Sequence, residues 1–216
     1  SKAMGYASPN PMVGSVIVYN NKIIGEGYHE KYSSHHAEVN AINSVKDKSI
    51  LSESTIYVTL EPCSHFGKTP PCADLIVKHK FKRAVIGCQD TFSEVQGKGI
   101  VRLQEAGIVV RVGCLENECR ELNKQFFTFH EKKRPFIILK WAQTSNGKLD
   151  SGTSNQKVTW ISSPESKTIV HQWRNAHQAI LVGRKTIEND NPSLTVRAIS
   201  GTNPIRLVLD SELKLP

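Results

Sequence analysis

The chain has 216 residues, 38% hydrophobic and 22% charged, with a formal net charge of +8. That length suits one large domain or two small ones, and no apolar run approaches the roughly 18 residues of a membrane-spanning helix. Ser1-Lys2-Ala3-Met4-Gly5 has no apolar stretch of the signal-peptide kind. Five cysteines are odd in number and too few for a disulfide framework, so a reduced, cytoplasmic protein without a membrane partner is expected. The positive balance suits anionic partners but does not separate nucleic acid from phosphorylated small molecules. Lys and Arg are spread along the chain, and the one run, Lys132-Lys133-Arg134, stands before Pro135 as a solvated linker.

Residues 13–19 (VGSVIVY) are apolar and β-branched, Asn20-Asn21 is a tight turn, and 22–28 return as a second strand. Over 36–45, Ala37, Ala41 and Val45 fall at i, i+4 and i+8, the spacing of a helix with one buried face. Residues 55–60 (TIYVTL) predict a buried strand that stops before Glu61-Pro62-Cys63. A helix follows over 72–80, with Pro70 and Pro71 at its start, where proline is tolerated. Then come a strand over 83–88, a helix over 99–106 stopped by Gly107, a strand over 108–112 and one long helix over 115–132. Strands alternating with helices between 56 and 112 predict βαβ crossovers and a partly parallel sheet. The second unit begins near Arg134-Pro135, with a strong strand over 136–142 (FIILKWA) and a turn at Ser145-Asn146-Gly147. A helix over 164–175 and strands over 178–183 and 205–210 complete it. At about 80 residues this unit is thin for an α/β domain with its own core, so the chain is expected to be a fragment or to lack the domain's second half.

His36-Ala37-Glu38, Glu61-Pro62-Cys63 and Cys72 together supply three zinc ligands of suitable type and one carboxylate not needed as a ligand. Three protein ligands leave a fourth tetrahedral position open for water, which separates a catalytic zinc from a structural one. Neutral imidazole from His36 and thiolates from Cys63 and Cys72 would bind the metal. Glu38 would stand beside the water as proton shuttle. The pattern H-x-E…P-C…C is the signature of zinc deaminases that act on nucleobase-like rings. Two alternatives stay open at this level: His35 competes with His36 as ligand, and His65 could close the site as a fourth. Cys88, Cys114 and Cys119 have no ligand spacing and read as buried or free thiols. Eight residues separate Cys63 from Cys72, where the common deaminase pattern has two. The insert Ser64-His65-Phe66-Gly67-Lys68-Thr69-Pro70-Pro71 is polar, basic and stiffened by proline, and its Lys and His suit a phosphate or a polar ring.

The strings SPNPMVGSVIV (8–18), GEGYH (25–29), HAEVNAI (36–42), EPCSHFGKTPPC (61–72) and GKG (97–99) closely resemble the bifunctional deaminase/reductase of riboflavin biosynthesis. The resemblance runs from about Ser8 to the end of the chain. It implies a cytidine-deaminase-like, three-layer α/β/α domain over 1–132 and the N-terminal part of an NADPH-dependent, dihydrofolate-reductase-like α/β domain over 133–216. It implies Zn2+ on His36, Cys63 and Cys72, Glu38 as the catalytic proton shuttle, and deaminase substrate contacts from Asn10, His29, His65 and Lys68. The substrate would be a diaminopyrimidinone with a phosphoribosylamino arm, deaminated and then reduced from ribosyl to ribityl. In the second unit Ala142, Trp160, Thr186 and Asp190 would face NADPH, and Arg174, Leu194 and Arg197 the substrate, with the arginines suited to its phosphate. A homo-oligomer, dimer or tetramer, and no nucleic-acid partner complete the expectation.

The chain departs from that family at several points. Thr91-Phe92-Ser93-Glu94-Val95 replaces a Pro-Asn-Pro stretch, Asn146 stands where Asp is usual, and Val158 where a substrate-contacting Ser is usual. Only 1–6 remain of a helix usual before the Pro-Asn-Pro turn. A glycine-rich cofactor loop and a downstream Glu would lie beyond Pro216, so an end there would leave the reductase inactive or dependent on a missing half. Two other readings compete: a tRNA or nucleic-acid zinc deaminase, favoured by the +8 charge, and a non-catalytic binding module stabilised by zinc.

Overall fold

The structure, a computed structural model, describes residues 3–66, 70–92, 95–149 and 160–215. Lys68 and Val158 lie outside them, as do Ser93 and Glu94 of the departing stretch. The described chain divides into two compact units, Ser1–Phe136 and Ile137–Pro216.

In the first unit β1 (Gly14–Tyr19) and β2 (Lys22–Tyr28) pair antiparallel through Asn20 and Asn21, both at positive φ, 47° and 58°. A turn with two left-handed residues matches the twist of the strands it joins, and Asn tolerates that conformation. β3 (Thr55–Leu60), β4 (Arg83–Cys88) and β5 (Val109–Val112) complete a five-stranded sheet in the order β2-β1-β3-β4-β5. β1 runs antiparallel to β3, whereas β3, β4 and β5 are mutually parallel. The parallel strands require crossovers, supplied by α2 (Cys72–Lys78) and α3 (Lys98–Glu105).

One sheet face carries Ile17, Ile56, Val58, Ala84 and Ile86, which pack with Ala41, Ile42 and Val45 of α1 (Ala37–Ser44), Ala73 and Ile76 of α2 and Leu103 of α3. Leu51, on a 3₁₀ turn at Lys48–Glu53 that the sequence did not announce, joins this core. Side chains alternate across a strand, so the opposite face carries Val16, Tyr57, Thr59, Val85 and Gly87. Cys119 of α4 (Glu116–Leu122) packs on Gly87 so closely that a Cβ there would stand 2.3 Å from its sulfur. Together these form three layers, α/β/α. A cavity of about 610 Å³ opens on this second face beside Val16, Tyr57, Val85 and Cys119, away from the predicted metal ligands.

The long helix expected over 115–132 is two helices, α4 and α5 (Lys124–Lys132), broken at Asn123, whose φ of −117° and ψ of 29° leave the helical range. The cause is tertiary: the buried Asn123 amide is bonded to the backbone of Met12, 111 positions earlier. A side-chain partner that distant leaves no periodic trace in the sequence.

In the second unit β6 (Ala179–Gly183), α7 (Arg184–Asp190) and β7 (Ile205–Leu209) form a parallel βαβ turn, preceded by α6 (Pro164–Ala176). Ser163 caps α6 by accepting from the N–H of Ser166. The strand expected over 136–142 is irregular instead, and Ile137, Leu139 and Trp141 are exposed. A strand exists only where a neighbour takes up its N–H and C=O groups, and the described two-stranded sheet holds β6 and β7 alone.

Two glycines of β2 let α1 lie flat on the sheet. A Cβ on Gly27 would stand 2.4 Å from the Ala41 nitrogen and 2.6 Å from the Ala37 oxygen, and one on Gly25 2.6 Å from the Ala41 oxygen. Gly14, by contrast, has only a Thr59 methyl at 3.9 Å. Gly27→Ala is therefore expected to cost about 1–3 kcal/mol in urea unfolding, and Gly14→Ala to stay within about 1 kcal/mol of the parent. Equal effects would show that α1 is not set by this close approach.

Candidate metal centre

β3 ends at Leu60, and the next residues, Glu61-Pro62-Cys63, emerge at the C-terminal end of the parallel strands, where an open α/β sheet places its ligands. Cys72 opens α2, directly after the rigid Pro71. His36 is the N-cap of α1, and Glu38 lies in that helix's first turn. The His36 Nδ1 stands 3.3 Å from the Cys72 sulfur and 3.6 Å from the Cys63 sulfur. All three ligating atoms lie within 4.8 Å of one another.

A tetrahedral zinc with bonds of about 2.0–2.3 Å spaces its ligand atoms about 3.3–3.8 Å apart, so the cluster has the spread and the donor set for that ion. Its protonation tells the same story. The Cys63 thiol is drawn down to about 4 by hydrogen bonds from the Cys72 thiol, His36 and the Cys72 backbone N–H. Cys72 is pushed up, since its proton is held by the Cys63 sulfur and by burial. His36 is raised, chiefly by its bond to Cys63. These opposed shifts mark three donors crowded onto one point, where a divalent cation would bind the thiolates and the imidazole together.

Glu38 is buried, and that burial, next to the Cys63 sulfur, lifts its carboxyl to about 7. Its own backbone N–H and the Cys72 thiol oppose the lift. The carboxyl is thus beside the ligands without being one of them.

His35 is exposed, and only its carbonyl enters the site region, accepting from His29 Nδ1 at 3.1 Å. His65 is also exposed and stands outside the three-ligand group; its ring meets the edge of Phe92 at 6.4 Å. His36 is therefore the imidazole of the cluster. Since the His35 carbonyl is an acceptor, His29 carries its proton on Nδ1, and its Nε2 accepts from the Asn10 amide at 3.2 Å. Burial lowers the His29 pKa, which favours this neutral form. The His29 ring meets the His36 ring edge-on at 5.5 Å, so Asn10 is linked to the metal cluster through one histidine.

Supporting residues escaped the sequence reading. Glu61 is buried with no ion-pair partner among the described residues; its carboxylate accepts from the backbone N–H groups of Asp90 (3.2 Å), Gly97 (3.0 Å), Gly99 (2.9 Å) and Ile100 (3.3 Å). It ties the loop after β3 to the loop after β4 and to the start of α3. A Cβ on Gly99 would stand 2.1 Å from the Pro62 oxygen, which accounts for the glycine in the GKG string. Phe92 packs against His130 of α5 at 5.2 Å, so the aromatic support of His65 reaches that helix. The signal for Glu61 was a lone acid at the end of an apolar strand; His130 gave none.

In the second unit Arg174 and Arg197 come together around His171. Arg174 donates to the Thr195 carbonyl at 2.9 Å, and the Arg197 N–H to His171 Nδ1 at 3.1 Å. Burial first, then the neighbouring Arg197, lowers the Arg174 pKa. Leu194 is buried at a φ of 54°. The four positions expected at a cofactor fall in three places: Ala142 in the irregular 136–142 stretch, exposed Trp160 before α6 with the Lys167 ammonium 3.5 Å over its ring, and Thr186 and Asp190 both in α7.

Residues 1–88 match the family described as the cytidine and deoxycytidylate deaminase zinc-binding region, and residues 135–216 the RibD C-terminal domain. The chain is 48% identical over 216 residues to riboflavin biosynthesis protein RibD of Aquifex aeolicus, covering 100% of this chain and 60% of that one. With the same-named protein of Escherichia coli it shares 38% over 217 residues, covering 94% and 58%. A diaminohydroxyphosphoribosylaminopyrimidine deaminase/5-amino-6-(5-phosphoribosylamino)uracil reductase of Thermotoga maritima superposes with a TM-score of 0.89 at 42% identity, over 98% of this chain and 60% of that one. RibD of Acinetobacter baumannii superposes at 0.92 and 35%, over 100% and 61%. The chain thus spans about 60% of the length of these relatives. Carrying both domain types in the same order, and alike across its whole length, the chain belongs to the RibD family.

Proposed function

We propose that the first unit deaminates 2,5-diamino-6-(5-phosphoribosylamino)pyrimidin-4-one by zinc-dependent hydrolysis, and that the second belongs to an NADPH-dependent reductase acting on the product. The observation that carries the reading is the convergence of the His36, Cys63 and Cys72 donor atoms within 4.8 Å, beside a buried carboxyl that is not among them. Zinc held there would supply the Lewis acidity that activates water near neutral pH. Glu38, lifted to about 7, can take a proton and return it at that pH, first to the ring nitrogen and then to the departing ammonia. Asn10, held by His29, offers an amide suited to a pyrimidine edge. His65, with Lys68 in the same loop, suits the phosphate arm.

In the second unit Arg174 and Arg197 supply two guanidinium groups around one spot, which suits the phosphate of the same arm. Ala142, Trp160, Thr186 and Asp190 are proposed for NADPH and Leu194 for the substrate, on the resemblance to the family. The five free cysteines support a reducing, cytoplasmic setting. Among the described residues no helix is long and apolar enough to cross a membrane. A dimer or tetramer is part of the same proposal, consistent with exposed Leu181, Leu207 and Leu209.

Glu38→Gln is expected to keep about one zinc per chain while ammonia release falls by at least about 10²-fold. Metal analysis and an ammonia assay read the two effects separately, and unchanged turnover would remove Glu38 as the shuttle. Cys63→Ala is expected to lose zinc on dialysis against a weak chelator and to unfold at lower temperature, because a two-donor site holds the ion poorly. Retention of the metal would move the site elsewhere. If instead the chain binds single-stranded RNA with an affinity that falls steeply with salt, the small-molecule reading is overturned in favour of a nucleic-acid deaminase.

A further inference from the structure

A buried amide far along the chain holds the backbone next to the proposed ring-reading residue. Asn123 is 2% exposed and sits at the break between α4 and α5. Its Oδ1 accepts from the Met12 N–H at 2.7 Å, and its Nδ2 donates to the Met12 carbonyl at 2.8 Å. A side-chain amide that satisfies both polar groups of one residue imitates a strand partner, and it fixes that residue in position and in orientation. Both Asn123 backbone groups are engaged as well: the N–H donates to the Arg120 carbonyl at 3.1 Å, and the carbonyl accepts from Phe127 at 3.0 Å. The side chain is thus mounted on two helices rather than on a loop.

Met12 lies between two other fixed points. One residue on, the Val13 carbonyl accepts from the His29 N–H at 2.9 Å. Two residues back, the Asn10 side chain donates to His29 Nε2 at 3.2 Å. The segment 10–13 is therefore held on one side by His29, whose ring leans on the zinc ligand His36, and on the other by Asn123. His29 alone would fix the two ends of the segment but not the peptide between them. Helical continuity through 115–132 is given up at the residue that makes the Met12 contact.

We infer that Asn123 is a positioning residue of the deaminase site: it sets the place of Asn10 against the metal cluster by clamping the Met12 peptide. It touches neither the proposed substrate nor the metal ligands, and acts on substrate binding rather than on the chemical step. The inference rests on the role proposed for Asn10, and the test separates the two.

The experiment uses the full zinc-loaded chain with the variants Asn123→Ala, which loses both bonds, and Asn123→Asp, which keeps the acceptor for the Met12 N–H and sets a carboxylate oxygen against the Met12 carbonyl. Asn10→Ala and the Asn10→Ala/Asn123→Asp double variant complete a cycle. Zinc content is expected to stay at the parent value in all of them. KM for the phosphoribosyl diaminopyrimidinone is expected to rise about tenfold in Asn123→Asp, with kcat within about twofold and with no further rise in the double variant over Asn10→Ala. Hydrogen exchange without substrate is expected to speed up over 9–13 in Asn123→Ala and to stay as in the parent over 37–44. A lower melting temperature with unchanged KM, or KM effects that multiply in the double variant, would reduce Asn123 to a structural residue and overturn the inference. Unchanged exchange over 9–13 would overturn the clamp itself. If Asn10→Ala leaves KM unchanged while exchange over 9–13 speeds up in Asn123→Ala, the clamp stands and the role of Asn10 in substrate binding falls.

Discussion

Three lone-pair donors packed within 4.8 Å of one another in a partly buried site repel unless positive charge lies among them. In the His36, Cys63 and Cys72 cluster, hydrogen bonds to the Cys63 sulfur lower its thiol pKa and raise those of His36 and Cys72. A divalent cation of matching size supplies that positive charge in the middle. The rest of the first unit can be read as the framework that brings these atoms together. It joins the start of α1 to the loop after β3 and the start of α2, 27 and 36 positions further on, at the C-terminal end of the parallel strands.

That framework is polar where it touches the site and apolar beneath it. The core of Ile17, Ile56, Ile76, Ile86 and Leu103 holds the helices on the sheet but cannot set the loops to a fraction of an ångström. Hydrogen bonds do that. Glu61 gathers four backbone N–H groups and so locks the Cys63 loop to the Asp90 loop. Asn123 performs the corresponding task for the segment that carries Asn10. Both groups are buried and fully engaged, which is the condition under which a polar side chain specifies geometry rather than costing stability.

The two units differ in how far they close. The first covers both faces of a five-stranded sheet. The second has, among the described residues, a two-stranded sheet whose β7 is exposed along its whole length, with Leu207 and Leu209 in water, and an apolar stretch over 136–142 that joins no described strand. Local periodicity identified 136–142 as strand-forming, but forming a strand depends on a neighbour, not on propensity.

The sequence by itself determined the alternation of strands and helices in the first unit, the Asn20-Asn21 hairpin turn, and the donor types of the candidate metal centre. All of these rest on local properties: period-two and period-3.6 patterning, backbone preferences of Asn, Gly and Pro, and ligand chemistry carried by residue type. It left His35, His36 and His65 as rivals, because side-chain direction around a helix cap is decided by what the cap packs against. Tertiary structure chose His36, broke the helix at Asn123 and gave Glu61 its four donors. Each outcome depends on a partner far along the chain, 111 positions away for Asn123 and 29 to 39 for Glu61. A hydrogen bond closed over that distance leaves no pattern in the residues beside it.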